Sequence, residues 1–460
     1  MPPKKKVKTS DNVSVIQNGA DRSSASNIPP LQAATDEEKR AWQGFCEVES
    51  EPAFFNVMLK EFGVRGVKVQ EVFGLDDELL AVLPKPVYGL IFLFRYREVD
   101  VDKQEASCPP QVWFANQVVG NACATVALLN IVNNVPCLEL GDHLQSFKDF
   151  TQDFTPALRG HQVANFQFVK NIHNSFARKM DMLNIDLGMK QDYDARNKRP
   201  KRGKSTTPAK SKRAAKESEP DDDDDSAFHF IAYMPIGDSV WKLDGLDRQP
   251  QNLGSSEPQP PDISNPNSEH SNRDSTDWLS TIKPVLKTRM AEYEEGQIEF
   301  GLLALVKDPT IHHRAQLGAN IASLLAAEAR LDLLNPDWRA FLSSGAAAAV
   351  AENTAATGVL RGASAVYGIS SADVDTAFIP DSIKNKLLAA CPTALMAARG
   401  ELVTSQAGLR LAVKEEEECV RQDEEKAACR RRDYGPFIQT WLRMLADNGT
   451  LQEMVREQLA

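Results

Sequence analysis

The sequence lacks three features that would place it in familiar classes of protein. Its longest apolar run, around residues 87–94, is far below the ~20 residues that a membrane helix needs, and the N-terminus has no apolar core of a secretory signal. It also lacks an excess of positive charge, since the formal net charge is −11 over 460 residues. We therefore expect a soluble, intracellular protein for which nucleic acid is not the main partner.

The cysteines form neither a zinc pattern nor a disulfide framework. They are odd in number, and no C-x-x-C pair occurs with histidines at the spacing of zinc ligands. In a reducing compartment such cysteines stay as free thiols, so that one of them is available as a nucleophile. The seven candidates are Cys46, Cys108, Cys123, Cys137, Cys391, Cys419 and Cys429.

The N-terminal part of the chain divides into a tail and a core. Residues 1–37 are basic and polar and predict a disordered tail. Residues 38–310 have the apolar patterns of buried helices and strands, which predicts one large folded domain. Two polar stretches interrupt this pattern, at residues 188–226 and 254–274, and are interpreted as solvated insertions.

The remaining chain is mostly helical in character. Residues 311–429 predict a helical extension, in which the small-residue segment 343–363 has little to bury. Residues 430–460 predict a helical hairpin, because an apolar face is stopped by Asn448-Gly449 and then resumes. This exposed apolar stripe is typical of a surface that binds a partner.

Cys123 occupies the most favourable position for a nucleophile. The apolar run 122–132 follows the polar turn Gly120-Asn121 and predicts a buried helix, so that Cys123 lies in its first turn. The positive end of a helix and a nearby imidazolium favour the thiolate, which is the reactive form of cysteine. Gln117, on the loop that enters this helix, is a candidate donor to an oxyanion.

A hairpin supplies candidate partners for this thiol. If Gly237-Asp238 is a two-residue turn, His229 and Asp244 become diagonal neighbours on one face of the sheet, ~7 Å apart at Cα. A carboxylate at that distance can orient an imidazole. The residues alone leave another interpretation open, in which Cys123 and His229 are core residues and Asp244 belongs to a turn.

Three blocks of sequence are specific enough to compare with known families. They are QVVGNACAT at residues 117–125, FHFIAY at 228–233 and LDGL at 243–246. In their order, and in the interval from His to Asp, they resemble the active-site blocks of the ubiquitin C-terminal hydrolases, peptidase family C12. The resemblance also covers residues 42–97, 173–178 and 295–300, which is nearly the whole predicted core.

This resemblance implies an α/β (α+β) papain-like core, threaded as a knot, with a mostly helical C-terminal extension. It implies a cysteine-type ubiquitinyl hydrolase with Cys123 as nucleophile, His229 as general base and acid, Asp244 as orienting carboxylate and Gln117 as oxyanion donor. No cofactor is expected. The segment 188–226 takes the place of the family's crossover loop, which passes over the active site.

The end of the chain resembles the adaptor of the long family members. The block RDYGPFI at residues 432–438 and the hairpin after it are similar to a C-terminal region that joins the proteasome, through a ubiquitin-receptor subunit, or chromatin regulators. The protein is then expected in the cytoplasm and the nucleus, and residues 4–8 resemble a nuclear import signal. The alternative is a non-enzymatic scaffold that only binds ubiquitin.

Overall fold

The computed structural model describes residues 32–95, 104–136, 138–198, 228–255, 278–294, 300–341, 358–388 and 391–458. The predicted tail up to residue 31, the insertion from residue 256 and most of the block 295–300 lie outside the described residues. The chain forms two compact units. One is Ala34–Arg432, and the other contains Asp433–Ala460.

The first unit is built on an antiparallel sheet of six strands. Their order across the sheet is β1-β6-β2-β3-β4-β5. The long strand β2 lies in the middle of the sheet, as its continuous apolar sequence predicts. The strands are β1 (Val67–Glu71), β2 (Val87–Arg95), β3 (Phe228–Ile236), β4 (Ser239–Leu243), β5 (Gln251–Ser255) and β6 (Gly301–Lys307).

Helices surround this sheet and continue beyond it. Those that precede β6 are α1 (Asp36–Ala41), α2 (Pro52–Phe62), α3 (Asp77–Ala81), α4 (Cys123–Val132), α5 (Asp142–Thr151), α6 (Pro156–Asn165), α7 (Gln167–Asn174), α8 (Lys179–Lys198) and α9 (Trp278–Glu294). After β6 come α10 (Pro309–Leu334), α11 (Ser371–Asp375), α12 (Asp381–Leu388) and α13 (Pro392–Arg431). The sheet and its helices give the α+β architecture that the family resemblance implies.

Alternation along the strands gives the sheet two buried faces. In β3, Phe230 and Ala232 join the apolar cluster that contains α2 and α4, whereas Ile231 and Tyr233 join the cluster that contains α9. Both faces of a central strand are therefore covered, which explains its unbroken apolar sequence. Helix α4, with Cys123 as its first residue, lies against the first of these faces.

The two-residue turn of the β3–β4 hairpin is confirmed. Ile236 pairs with Ser239 and Ala232 with Leu243, which is the register that a turn at Gly237-Asp238 requires. Gly237 has a φ of +61°, a value that favours glycine. This register carries His229 and Asp244 to one end of the hairpin.

The structure corrects the start of the predicted crossover loop. Helix α8 continues to Lys198, so that residues 188–198 are helical and not loop. The apolar pattern ends there, but lysine, glutamine, alanine and arginine are good helix formers that need no buried face. The rest of that predicted loop lies outside the described residues.

The helices after β6 belong to the same compact unit as the sheet. Helix α13 runs along α2, where Arg431 pairs with Glu61 at 2.7 Å, and it also reaches β1, where Lys68 pairs with Glu416 at 2.6 Å. The small-residue segment is predicted to have little to bury, but its end is packed, because Leu360 is buried and Arg361 binds Glu328. Among the described helices, none is long and apolar enough to cross a membrane.

The second unit, described by itself, is a helical hairpin. Its helices are α14 (Gly435–Asp447) and α15 (Thr450–Gln458), and Gly449 between them has a φ of +79°. The predicted stop at Asn448-Gly449 is therefore confirmed. Its large apolar side chains are exposed, as Phe437 at 69% and Trp441 at 54% illustrate.

Candidate active site

The thiol of Cys123 lies at the N-terminus of α4. Ala122 is the N-cap residue, and its side chain makes no hydrogen bond to the helix. The first backbone N–H groups of the helix therefore have no side-chain cap at the end where the thiol lies. Asn121 before it has a φ of +60°, a conformation that asparagine tolerates better than most residues. Cys123 is half-buried, in contrast to the fully buried helix behind it.

The loop before α4 is fixed to that helix by side-chain amides. Asn130 accepts the N–H of Ala115 at 2.8 Å and donates to its carbonyl oxygen at 3.3 Å. One turn further, Asn134 accepts the N–H of Trp113 at 2.7 Å. These side-chain amides pair with backbone N–H and C=O groups of the loop, as a neighbouring strand would. The loop that leads to Gln117 is therefore held in a fixed position along the helix.

His229 and Asp244 meet as the hairpin register predicts. Asp244 Oδ1 lies 2.7 Å from His229 Nε2, and both side chains are buried. An ionised carboxylate only accepts hydrogen bonds, so Nε2 carries the proton and Nδ1 is left for the thiol of Cys123, with which His229 is also hydrogen-bonded. The three predicted residues Cys123, His229 and Asp244 are therefore brought together.

This arrangement favours a protonated imidazole. Burial by itself would lower the pKa of His229, but hydrogen bonds to Asp244 and Cys123, and the charges of both, outweigh burial and raise the pKa to about 9. Burial would raise the pKa of the Asp244 carboxyl, but its bond to His229, the charges of His229 and Lys242, and the N–H of Leu246 lower it. An imidazolium beside a thiolate is the resting state that a thiol hydrolase needs.

Gln117 lies beside the segment after Asp244, and Gly245 of that segment also lies close to Val126 of α4. Its N–H donates to the carbonyl oxygen of Gly245 at 2.7 Å. A Cβ on Gly245 would lie 3.1 Å from the Cβ of Gln117 and 3.0 Å from Val126, so that a side chain there would require these neighbours to shift by a few tenths of an ångström. The side-chain oxygen Oε1 of Gln117 is buried and accepts no hydrogen bond from the described residues.

Asp244 has two charged neighbours that are not among the residues predicted from the sequence. Lys242 Nζ lies 3.6 Å from Asp244 Oδ2 and 3.2 Å from Asp247 Oδ2. Alternation along β4 and the residue that follows it places residues 242 and 244 on one face, so that Lys242 could have been found from the predicted hairpin. The position of Asp247 depends on a turn after the strand, which no pattern in the sequence specifies.

Comparison with known proteins gives one family over the region that contains the site. The family model described as ubiquitin carboxyl-terminal hydrolase, family 1, matches residues 45–290. The chain is 34% identical over 264 residues to ubiquitin carboxyl-terminal hydrolase ubh-4 of Caenorhabditis elegans, covering 57% of this chain and 66% of that protein.

Two further proteins are similar over a comparable share of this chain. Ubiquitin carboxyl-terminal hydrolase isozyme L5 of Dictyostelium discoideum is 33% identical, over 58% of this chain and 63% of that protein. The chain thus spans less than two thirds of the length of both relatives. A solved structure, Trichinella spiralis UCH37 bound to ubiquitin vinyl methyl ester, is 27% identical with a TM-score of 0.41, over 59% of this chain and 86% of that one.

Proposed function

We propose a function for this chain from the premise that it belongs to ubiquitin carboxyl-terminal hydrolase family 1, whose model matches residues 45–290. The chain hydrolyses the peptide, isopeptide or ester bond that follows the C-terminal glycine of ubiquitin. The observation that supports this most is the contact of His229 with both Cys123 and Asp244. The relatives described above carry the same activity in their names.

In the proposed mechanism the thiolate of Cys123 attacks the carbonyl carbon of that glycine. The negative charge moves to the carbonyl oxygen, where the N–H of Cys123 and the side-chain amide of Gln117 donate to it. The imidazolium of His229 then gives its proton to the leaving group, and a thioester with Cys123 remains. Water, deprotonated by the now neutral His229, hydrolyses the thioester and restores the thiol site.

Asp244 holds His229 in the tautomer that this cycle needs. Its Oδ1 accepts from Nε2 at 2.7 Å, so that Nδ1 is the nitrogen that exchanges the proton. The carboxylate also stabilises the imidazolium that is present before the attack. Each of these steps uses side chains of the protein, and the mechanism needs no cofactor.

Labelling with ubiquitin that carries a C-terminal vinyl methyl ester tests the enzyme against the alternative of a ubiquitin-binding scaffold. We expect the wild-type chain to form a stable adduct and Cys123→Ala to form none. Cys391→Ala is the matched control, since Cys391 is an exposed thiol at the N-terminus of α13, whose pKa is lowered by the Thr393 hydroxyl and by backbone N–H groups. Binding of ubiquitin without adduct by the wild type would favour the scaffold.

The role of Gln117 is tested by turnover. We expect Gln117→Ala to lower kcat about a hundred-fold with little change in KM, because the amide donates mainly in the transition state. Hydrolysis of a fluorogenic amide at the C-terminus of ubiquitin gives both constants. An unchanged kcat would remove Gln117 from the mechanism.

The hairpin of α14 and α15 is proposed as an adaptor that joins a larger complex, either the proteasome through a ubiquitin-receptor subunit or a chromatin regulator. Phe437 and Trp441 on α14 are one turn apart and exposed, and Met454 and Val455 on α15 are also exposed. This proposal places the protein in the cytoplasm and the nucleus.

Capture experiments with the full chain test this adaptor. We expect Trp441→Asp to lose the captured complex, while Leu411→Asp, an equally exposed leucine on α13, retains it. Mass spectrometry of the captured proteins then separates proteasome from chromatin components. Equal capture by both variants would contradict the adaptor role.

A further inference from the structure

Lys242 is a buried ammonium group placed between two carboxylates. Its side chain is 3% exposed, and its Nζ lies 3.2 Å from Asp247 Oδ2 and 3.6 Å from Asp244 Oδ2. A lysine is seldom this buried, because removing its charge from water costs far more than a surface ion pair returns. The two carboxylates provide that compensation, so that Lys242, Asp244 and Asp247 form one charged cluster.

The Asp244 carboxylate is engaged at both oxygens. Oδ1 accepts the Nε2–H of His229 and, at 3.0 Å, the backbone N–H of Leu246. Oδ2 faces the ammonium of Lys242. Rotation of the carboxylate therefore cannot break the bond to His229 without also removing Oδ2 from Lys242.

The other carboxylate lies in a turn that reaches the loop of Gln117. The N–H of Asp247 donates to the carbonyl oxygen of Asp244 at 3.0 Å, which closes a turn over residues 244–247. The side-chain amide of Asn116 donates to the carbonyl oxygen of Asp247 at 2.6 Å, and Gln104 donates to its Oδ1 at 3.1 Å. The residue next to Gln117 is thereby attached to the turn that Lys242 holds.

We propose that Lys242 is a positioning residue for the hydrolysis: its ammonium fixes the orientation of the Asp244 carboxylate toward His229 and ties it to the turn that supports the Gln117 loop. This inference rests on the proposed function. Lys242 itself touches no reacting atom, and it acts through Asp244 and Asp247. One buried cation thus connects the base side of the site to its oxyanion side.

Lys242 also sets the charge around the site. Among the described residues, the charged or titratable groups near Lys242 include Asp244, Asp247 and His229. They also include Tyr233, its register partner on β3, and Arg289 of α9, whose guanidinium lies 5.9 Å from the centre of the Phe94 ring. Cys123 faces His229 from α4. Removing one cation from such a cluster raises the pKa of its neighbours, whereas removing one carboxylate lowers it. Variants at Lys242 and Asp247 should therefore move the pH profile in opposite directions.

The test uses the full chain and a fluorogenic amide at the C-terminus of ubiquitin. We expect Lys242→Met to lower kcat about ten-fold with KM nearly unchanged, and to move the profile of kcat/KM about half a pH unit upward. Lys242→Arg keeps the charge and should restore most of kcat and the wild-type profile. Asp247→Asn should lower kcat and move the profile downward. Lys283→Met on α9, a lysine paired with the exposed Asp77, is the control that changes neither quantity.

Concentrations are corrected by active-site titration with the ubiquitin vinyl ester, so that misfolded protein does not count. The proposal is overturned if Lys242→Met, after this correction, has the wild-type kcat and pH profile. If Lys242→Met fails to fold, an unshifted pH profile in Asp247→Asn overturns it. Absence of hydrolysis by the wild type would instead remove the proposed function itself.

Discussion

Two buried histidines, His173 and His229, interact with residues in the first turn of α4 and behave in opposite ways. His229 contacts Cys123 and Asp244, and its pKa is raised to about 9. His173 has Thr125 Oγ1 at 2.7 Å from Nδ1 and the carbonyl oxygen of Cys46 at 2.7 Å from Nε2. Burial lowers its pKa to about 4, against a weaker opposing effect of the Cys46 carbonyl.

For two histidines of similar burial, the hydrogen-bonding partner decides whether the imidazole is neutral or protonated. A carbonyl oxygen only accepts, so Nε2 of His173 carries the proton and Nδ1 accepts from the hydroxyl of Thr125. The donor nitrogen and the acceptor nitrogen of a neutral imidazole are then both hydrogen-bonded, and neither partner carries a charge that would stabilise a second proton. The carboxylate of Asp244 does stabilise one, which makes His229 a proton donor and acceptor and leaves His173 a structural connection between Cys46 and α4.

The largest expected effect is the difference in kcat/KM between the alanine variants of the two histidines. We expect His229→Ala to lower kcat/KM about ten-thousand-fold, because proton transfer and thiol activation are lost together. His173→Ala should keep kcat/KM within about ten-fold of wild type, because that imidazole takes no part in the chemistry. Both constants are measured with the fluorogenic ubiquitin amide on titrated sites.

Stability should reverse that order. His173→Ala removes a fully buried ring and leaves the Thr125 hydroxyl and the Cys46 carbonyl without their partner, which should lower the free energy of unfolding by about 3 kcal/mol. Chemical denaturation of the two variants measures it. A His173 variant that is stable but inactive would show that the comparison between the two histidines is wrong.

The hairpin register that brings His229 and Asp244 together could be predicted from the sequence. A two-residue turn fixes every pairing of a hairpin, so that two residues on neighbouring strands can be placed by counting from Gly237-Asp238. The place of Cys123 at the start of an apolar helix could also be predicted, and the structure confirms that place, whereas its role as nucleophile rests on the family resemblance. These are local patterns, because the determinants of each lie within a single hairpin or a single helix start.

The role of His173 could not be predicted in that way. Its block was recognised by resemblance alone, but its partners Thr125 and Cys46 are distant in sequence and reach it only after the chain has folded. Periodicity gives no information on such contacts. The same reason applies to Asp247, and to α13, whose charged residues look solvated in sequence but pair with α2 in the structure.

The pH dependence of stability should also differ between the two histidines. His173 has a folded pKa of about 4, below the ~6.5 of an unfolded histidine. The unfolded chain then binds more protons between these values, so the stability from His173 is complete above ~6.5 and falls by about 3 kcal/mol as the pH drops to ~4. His229, with its pKa raised to about 9, contributes stability that is complete below ~6.5 and is lost as the pH rises toward 9.

Denaturation series from pH 4 to 9 check both signs. The acid-side loss of stability should be smaller in His173→Ala, and the alkaline-side loss smaller in His229→Ala. Nuclear magnetic resonance titration of the two imidazoles gives the same information directly. A His173 ring that becomes protonated near ~6.5 would contradict its assignment as a neutral connection.

The smallest expected effect concerns the hydroxyl of Thr125. Thr125→Val keeps the shape of the side chain but leaves Nδ1 of His173 without a donor, which should cost about 1–2 kcal/mol of stability. Thr125→Ser retains the hydroxyl and is the matched control, although it loses a buried methyl group. Because Thr125 is two residues from Cys123 on α4, the kcat of Thr125→Val reports whether the His173 connection also positions the nucleophile. Unchanged kcat with reduced stability would mean that the connection supports the fold alone, whereas a fall in kcat reversed by serine would make the two histidines parts of one site.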